Sequence, residues 1–191
     1  MNTETTKKIY LNQIRTHINR EGIDDLVDWL EGTDFFTAPA STRHHGAHEG
    51  GLVEHSLHVF DKLWGLCRQE RTPEDGIATV ESIAIVALFH DLCKVGCYKT
   101  EMRWRKNKLN QWEQYPVFIF NEDFAYGGHG SKSVFLVQSF IKLTPEEASA
   151  INCHMGQWDS TTYSNPTEVY QRNKLAWLLH VADEYATYYL D

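Results

Sequence analysis

The stretch VESIAIVALFHDLCK, residues 80–94, limits the fold more than any other part of the chain. It is nearly continuous apolar sequence from Ile83 to Phe89, and it reads as one helix over Val80–Lys94. A helix that is apolar all round belongs in an interior, with other elements covering every side. His90 and Asp91 then stand side by side at its end. A carboxylate drawn inward without a partner would be costly enough to neutralise, so Asp91 needs a cation. Lys94, three residues after Asp91 and four after His90, projects from the same face and offers an ion pair with a core histidine beside it. A metal ion is the other candidate, and this segment alone leaves both open.

The rest of the pattern supplies helices to surround that run. Amphipathic helices are predicted over residues 7–19, Ile23–Leu30, Leu52–Cys67, Lys132–Lys142 and Asn173–Tyr189. Thr144-Pro145-Glu146-Glu147 has the composition of a capping box with Pro at the first helical position, which starts a further helix running to about Met155. Between Tyr98 and Phe120 aromatic and β-branched residues flank Asn107–Asn110, the mark of a β-hairpin, with Pro116 expected on an exposed edge or near a bulge. Thr33–Gly51, rich in Gly, Pro, Ser and Thr, reads as a loop. The expectation is a mostly α fold, a single helical-bundle domain over residues 1–191 with a small hairpin insertion at about 98–120. A chain of 191 residues suits one domain.

Composition narrows compartment and partners. The formal charge is −8, which argues against an extended nucleic-acid footprint, since phosphate affinity rests on clustered Lys and Arg. No run is long enough to span a bilayer, so no membrane partner is expected. The opening MNTETTKKIY lacks a secretory apolar core. Cys67, Cys93, Cys97 and Cys153 form no CxxC pair and read as reduced thiols of a cytoplasmic protein. Cys93 and Cys97 lie one helical turn apart, but no second pair completes a zinc site, and small apolar packing residues are the simpler reading.

Ten histidines in so short a chain make their positions informative. On the helix from Leu52, His55 falls at the edge of a wide apolar arc, whereas His58 projects among Glu54, Asp61 and Lys62 and is expected in solvent. Asp183 sits against the stripe Leu175, Leu179, Ala182, Ala186 and Tyr189, so a second acid heads inward. His154 follows Ile151 by one turn. His129 stands among glycines at a helix mouth, where a ligand can approach closely. Arg43, His44, His45 and His48 form a cationic or proton-donating cluster in the loop, able to reach over a pocket. Lys132 reads as surface charge, Gln157 and Trp158 as either pocket lining or packing, and His17, His58 and His180 receive no special role.

Taken in order, His55, His90-Asp91, His129, His154 and Asp183 resemble the HD-domain superfamily signature H…HD…H…H…D in its six-ligand form. The contexts GGLVEHSLHV, ALFHDLCK and LLHVADEYA carry the likeness, and the first is similar to the HD module of YhaM-type 3'-5' exoribonucleases. The resemblance spans about residues 40–190. Cys93 departs from it, standing where many members have Gly before the Lys. The resemblance implies a first metal held by His55, His90, Asp91 and Asp183, and a second, bridged by Asp91, held by His129 and His154. The ions implied are divalent Fe, Mn, Co, Ni or Zn. The implied activity is metal-dependent hydrolysis of a phosphomonoester or phosphodiester of a nucleotide by a metal-activated water, with Asp91, Lys94, Arg43 and His48 as catalytic residues. A small anionic substrate is expected. A di-iron oxygenase of the inositol-oxygenase type, a 3'-5' exonuclease on short oligonucleotides and a non-catalytic nucleotide-binding module are the alternatives.

Overall fold

The computed structural model describes residues 2–69, 77–121, 128–158 and 166–191. Four of its helices start at a side chain that caps them. Asn2 accepts from the Glu4 amide to open α1 (Thr3–His17). Thr79 opens α4 (Val80–Phe89) through the Ser82 amide. Thr144 and Glu147 exchange the two bonds of a full capping box at α6 (Pro145–Cys153). Asn173 opens α8 (Lys174–Tyr189). Each cap satisfies an amide that the first helical turn cannot, typically worth about 1 kcal/mol. The remaining helices are α2 (Ile23–Glu31), α3 (Gly51–Gln69), α5 (His129–Gln138) and the short α7 (Pro166–Arg172), which the periodicity did not show.

Helix α4 is the centre. Ile83 through Phe89 are all buried, and the helix packs against α1, α3, α6 and α8. One apolar cluster runs from Tyr10 and Ile14 through Leu26, Leu52, Leu88 and Ile151 to Leu179 and Ala186. Tyr10 has no exposed surface and its hydroxyl donates to the Leu88 carbonyl at 2.8 Å, giving the buried phenol a partner without breaking the core. Each fully buried large side chain here contributes about 1.5–3 kcal/mol.

The expected helix over Val80–Lys94 is shorter than the pattern suggested. It ends at Phe89, Asp91 leaves helical geometry (φ −104°, ψ 17°), and Leu92–Lys94 form a separate 3-10 turn. Asp91 is thereby lifted off the helix axis toward its neighbours. The helix expected at Lys132–Lys142 begins one turn earlier and includes His129. The hairpin is β1 (Tyr98–Lys106) paired antiparallel with β2 (Trp112–Phe120), in unbroken register from Tyr98↔Phe120 to Lys106↔Trp112. Pro116 is exposed opposite Met102, with no bulge. Asn110 takes positive φ (61°) in the connection, while the Asn107 side chain accepts from the amides of Leu109 and Gln111. No helix among the described residues is long and apolar enough to cross a membrane.

Candidate metal centre

Two histidines reach the centre by one device. The last carbonyls of a helix lack an intrahelical partner. His90, just past α4, uses its Nδ1 to donate to the Ala87 carbonyl at 2.8 Å, and His154, just past α6, does the same to Ile151 at 2.6 Å. A carbonyl only accepts, so Nδ1 carries the proton in both rings, and in the neutral imidazole Nε2 is a bare lone pair pointing inward. His55 is held similarly from α3: its Nδ1 lies 2.6 Å from Asp191 Oδ2, whose other oxygen takes the His58 Nδ1 at 2.6 Å. His58, expected in solvent, is thus paired with a nearly buried carboxylate.

The fourth histidine depends on a close helix contact. A Cβ at Gly130 would collide with the Asn152 carbonyl, so only glycine lets the start of α5 press against the end of α6. That contact sets the His129 and His154 rings 5.6 Å apart, centroid to centroid. Lys132 and Ser133 then tie α5 to the turn after Asp91. Lys132 donates to the Cys93 carbonyl, and Ser133 Oγ accepts from the Cys93 amide at 3.0 Å. Lys132 is buried, correcting its reading as surface charge.

All six residues of the signature converge. Asp91 Oδ1 is 3.0 Å from His129 Nε2 and 3.5 Å from His154 Nε2. Asp91 Oδ2 is 3.6 Å from both His55 Nε2 and His90 Nε2. Asp183 Oδ1 is 3.0 Å from His55 Nε2 and 3.8 Å from His90 Nε2, and the latter two nitrogens are 3.3 Å apart. Three sets of side chains bring their ligand atoms within 4.8 Å of one another: His55, His90 and Asp91; His90, His154 and Asp183; and Asp91, His129 and His154. These buried groups could hold a metal ion.

His154 tests that fit. It is fully buried, yet its Nε2 has no hydrogen-bond partner, and it faces the negatively charged Asp91. A lone pair opposite an anion in a water-poor interior is unfavourable unless a proton or a metal ion lies between them, and against the effect of burial Asp91 and Asp183 raise the His154 pKa, so the position favours a cation of either kind. The donor set, imidazole nitrogen with carboxylate oxygen, suits the divalent transition ions. No such set among the described residues includes a cysteine. Burial pushes the Cys93 and Cys97 thiols up, away from thiolate, in keeping with packing roles.

Electrostatics without a metal follow from these distances. Burial opposes the Asp91 charge, but Lys94 and His90 outweigh it and hold the carboxyl well below the ordinary range. Asp183 is lowered likewise, burial being overcome chiefly by the His55 hydrogen bond. His55 is driven the other way: burial disfavours its charge, but hydrogen bonds to Asp183 and Asp191 raise it to about 9. His90, dominated by burial, falls to about 4. Lys94 is buried, 2.7 Å from Asp91 Oδ2, so an ion pair is present and uses the same carboxylate as the groups that could hold a metal ion.

A cavity of about 570 Å³ opens onto Asp91, His129 and Asp183. Lys94, His44, His45, Tyr98, Trp158 and Tyr188 line it too. Of the loop cluster, the structure therefore brings His44 and His45 to the site. Burial lowers His45 to about 4. Arg43 is exposed and does not line the cavity, and His48 lies in a neighbouring groove, 3.3 Å from Glu54. A larger cavity, about 770 Å³, lies on another side of Trp158 against Tyr170, Trp177 and His180, and none of the six converging residues lines it. His180, for which the sequence suggests no role, donates from its Nδ1 to the His154 carbonyl at 2.6 Å. Asp191 is the residue the sequence reading missed altogether. Comparison with protein-family models, with curated proteins and with solved structures finds no match for this chain.

Proposed function

We propose that the chain is a metal-dependent phosphohydrolase of the HD-domain type, acting on a phosphomonoester or phosphodiester bond of a nucleotide. The observation that carries this reading is the convergence of four imidazole Nε2 atoms and two carboxylates beside a cavity that Asp91, His129 and Asp183 line and whose wall includes Lys94. In this reading His55, His90, Asp91 and Asp183 would hold one divalent ion, and His129 and His154, with Asp91, would hold a second. Such a pair supplies a nucleophilic hydroxide near neutral pH and neutralises charge on phosphoryl oxygens.

The chain's own residues do the rest. The Nδ1 bonds of His55, His90 and His154 fix ring orientation before substrate arrives, so no reorganisation is needed at the reacting centre. Lys94 keeps a positive charge at the wall, placed for a phosphoryl oxygen rather than for the bulk surface. His44, exposed at the rim, is placed to hold a proton for the leaving oxygen. Tyr98, Trp158 and Tyr188 offer aromatic faces for a base. The volume lies within the usual range for small-molecule sites, about 300–1,000 Å³.

A panel of mono-, di-, tri-, cyclic and short linear nucleotides, each with Mn²⁺, Co²⁺, Ni²⁺ and Fe²⁺ in air and under anaerobic conditions, tests the proposal. Expected is metal-dependent hydrolysis that needs no O₂ and is lost in Asp91→Ala. Turnover that strictly requires O₂ and iron would make the chain an oxygenase. No hydrolysis with any metal would leave a binding module.

A further inference from the structure

The hairpin takes no part in the cluster, and its composition differs from the rest of the chain. Residues 98–120 hold five Lys or Arg against two Glu, a net +3, which leaves −11 on the other residues. The overall −8 thus hides a segregated basic ribbon. Nine residues of strand extend about 30 Å, several times the roughly 10 Å over which salt screens charge. Along most of that length the ribbon carries its own field rather than that of the acidic helices.

The ribbon also spends apolar surface on solvent. Its two strands pack mainly on each other, and the register puts Met102 and Trp104 on one face with Trp112 and Pro116. Trp104 is 61% exposed and Trp112 65%. Exposed aromatics contiguous with unpaired charge mark an interaction surface. Arg105 and Arg103 are paired with Glu113 and Glu101, whereas Lys99, Lys106 and Lys108 have no carboxylate partner among the described residues. Both edges carry charges or Pro116, which discourages strand addition by another sheet. At its base the ribbon reaches the site. Tyr98 lines the metal-centre cavity and also the groove beside it, whose wall includes Lys99 and Phe118.

We propose that the β1–β2 ribbon binds single-stranded nucleic acid, its bases stacking on Trp104 and Trp112 and its phosphates met by Lys99, Lys106 and Lys108, and leads the strand past Tyr98 to the cavity. The second half of this rests on the phosphohydrolase reading. Base stacking on aromatics with interleaved cations is the sequence-tolerant way to hold single strands, and here it restores a polynucleotide partner that the net charge alone argued against.

The test is fluorescence anisotropy of labelled DNA and RNA strands of about 12 nucleotides with the full chain in EDTA, where no turnover occurs. Binding is expected with a log–log salt slope near −2, from about three phosphate contacts at roughly 0.7 each, or about 15-fold weaker binding between about 50 and 200 mM salt. Trp104→Ala and Trp112→Ala should each weaken it about tenfold, with thermal stability and mononucleotide hydrolysis unchanged. The DNA and RNA arms show which strand is preferred. Mononucleotide hydrolysis without oligonucleotide binding overturns the ribbon's role alone. Strand binding without any metal-dependent hydrolysis overturns the phosphohydrolase reading and the feeding role with it. A dimer that the tryptophan variants dissociate, with no strand binding, makes a second copy the occupant and overturns the proposal.

Discussion

Replacing Asp191 by Asn tests how the first ligand is held. The Asp191 side chain is 3% exposed and its two oxygens each lie 2.6 Å from an imidazole Nδ1, one from His55 and one from His58. The His55 and His58 bonds hold the carboxyl below the ordinary range against the opposing effect of burial. Asn keeps one accepting oxygen and turns an NH₂ toward the other ring, which must switch tautomer to accept it, and neither bond is any longer charge-assisted. A hydrogen bond to a charged group is worth about 1.5–3 kcal/mol, and losing an outer partner of a metal-bound histidine commonly costs about 10–100-fold in metal affinity, about 1.4–2.7 kcal/mol. The two routes agree. Competition for Mn²⁺ or Co²⁺ against a chromogenic chelator at neutral pH should therefore show Asp191→Asn binding at least tenfold more weakly than the unmodified protein. His58→Ala, which removes the more exposed partner and leaves the His55 bond intact, should change affinity far less. Equal affinity in Asp191→Asn and the unmodified chain would refute the view that His55 is a ligand positioned from behind.

Three further outcomes follow from the same contacts. Lys94→Met removes the cation that occupies Asp91 in the metal-free protein, so the rise in Tm on adding Mn²⁺ should be larger than in the unmodified chain; an equal or smaller rise would mean that Lys94 and the metal do not share Asp91. Arg20 binds Glu147 through two bonds, at 2.6 and 3.1 Å, and Glu81 at 2.9 Å, and Glu147 has no exposed surface, so Arg20→Ala should cost about 3 kcal/mol in urea unfolding, and a loss below about 1 kcal/mol would contradict it. The cluster also shapes stability against pH in the metal-free protein. His55 is raised to about 9, so its contribution is full below its unfolded value near 6.5 and is lost as pH climbs through 9; His90 is lowered to about 4, so it costs stability progressively as pH falls from 6.5 to 4, where the unfolded chain takes up a proton that the buried ring does not; Asp91, Asp183 and Asp191 are lowered and lose their contribution as pH falls below the ordinary carboxylate range. Thermal melts in EDTA should show Tm highest near pH 6.5 and falling on either side, and a Tm still rising through pH 9 would count against the His55 pairing.

How far the sequence could be read depended on the range of each interaction. The start of the helix after Thr144 was legible because the two partners of its capping box, Thr144 and Glu147, lie within three residues of each other. The inward heading of His55, His154 and Asp183 was legible from helical spacing, and the hairpin from its turn residues. Asp191 was not, since it meets His55 from 136 residues away and no local pattern links them. The break after Phe89 escaped because an apolar run does not say where its helix stops; the His90 bond to Ala87 does. Lys132 looked like surface charge because its partner, the Cys93 carbonyl, is a backbone group that no side-chain pattern reveals. Arg43 and His48 share a loop with His44 and His45, yet their exposure and His48's contact with Glu54 depend on how that loop folds, with a Cβ at Gly51 excluded by the Gly46 carbonyl.

The metal itself is the most direct test. Elemental analysis of the protein purified without chelator and re-equilibrated with Mn²⁺ or Co²⁺ should find at least about one tightly held divalent ion per chain, falling sharply in Asp91→Ala and His154→Ala variants that remain folded by circular dichroism. A folded, unmodified chain holding far less than one equivalent, or variants that retain the full complement, would mean that the bare Nε2 of His154 and the carboxylate opposite it are not a metal cradle.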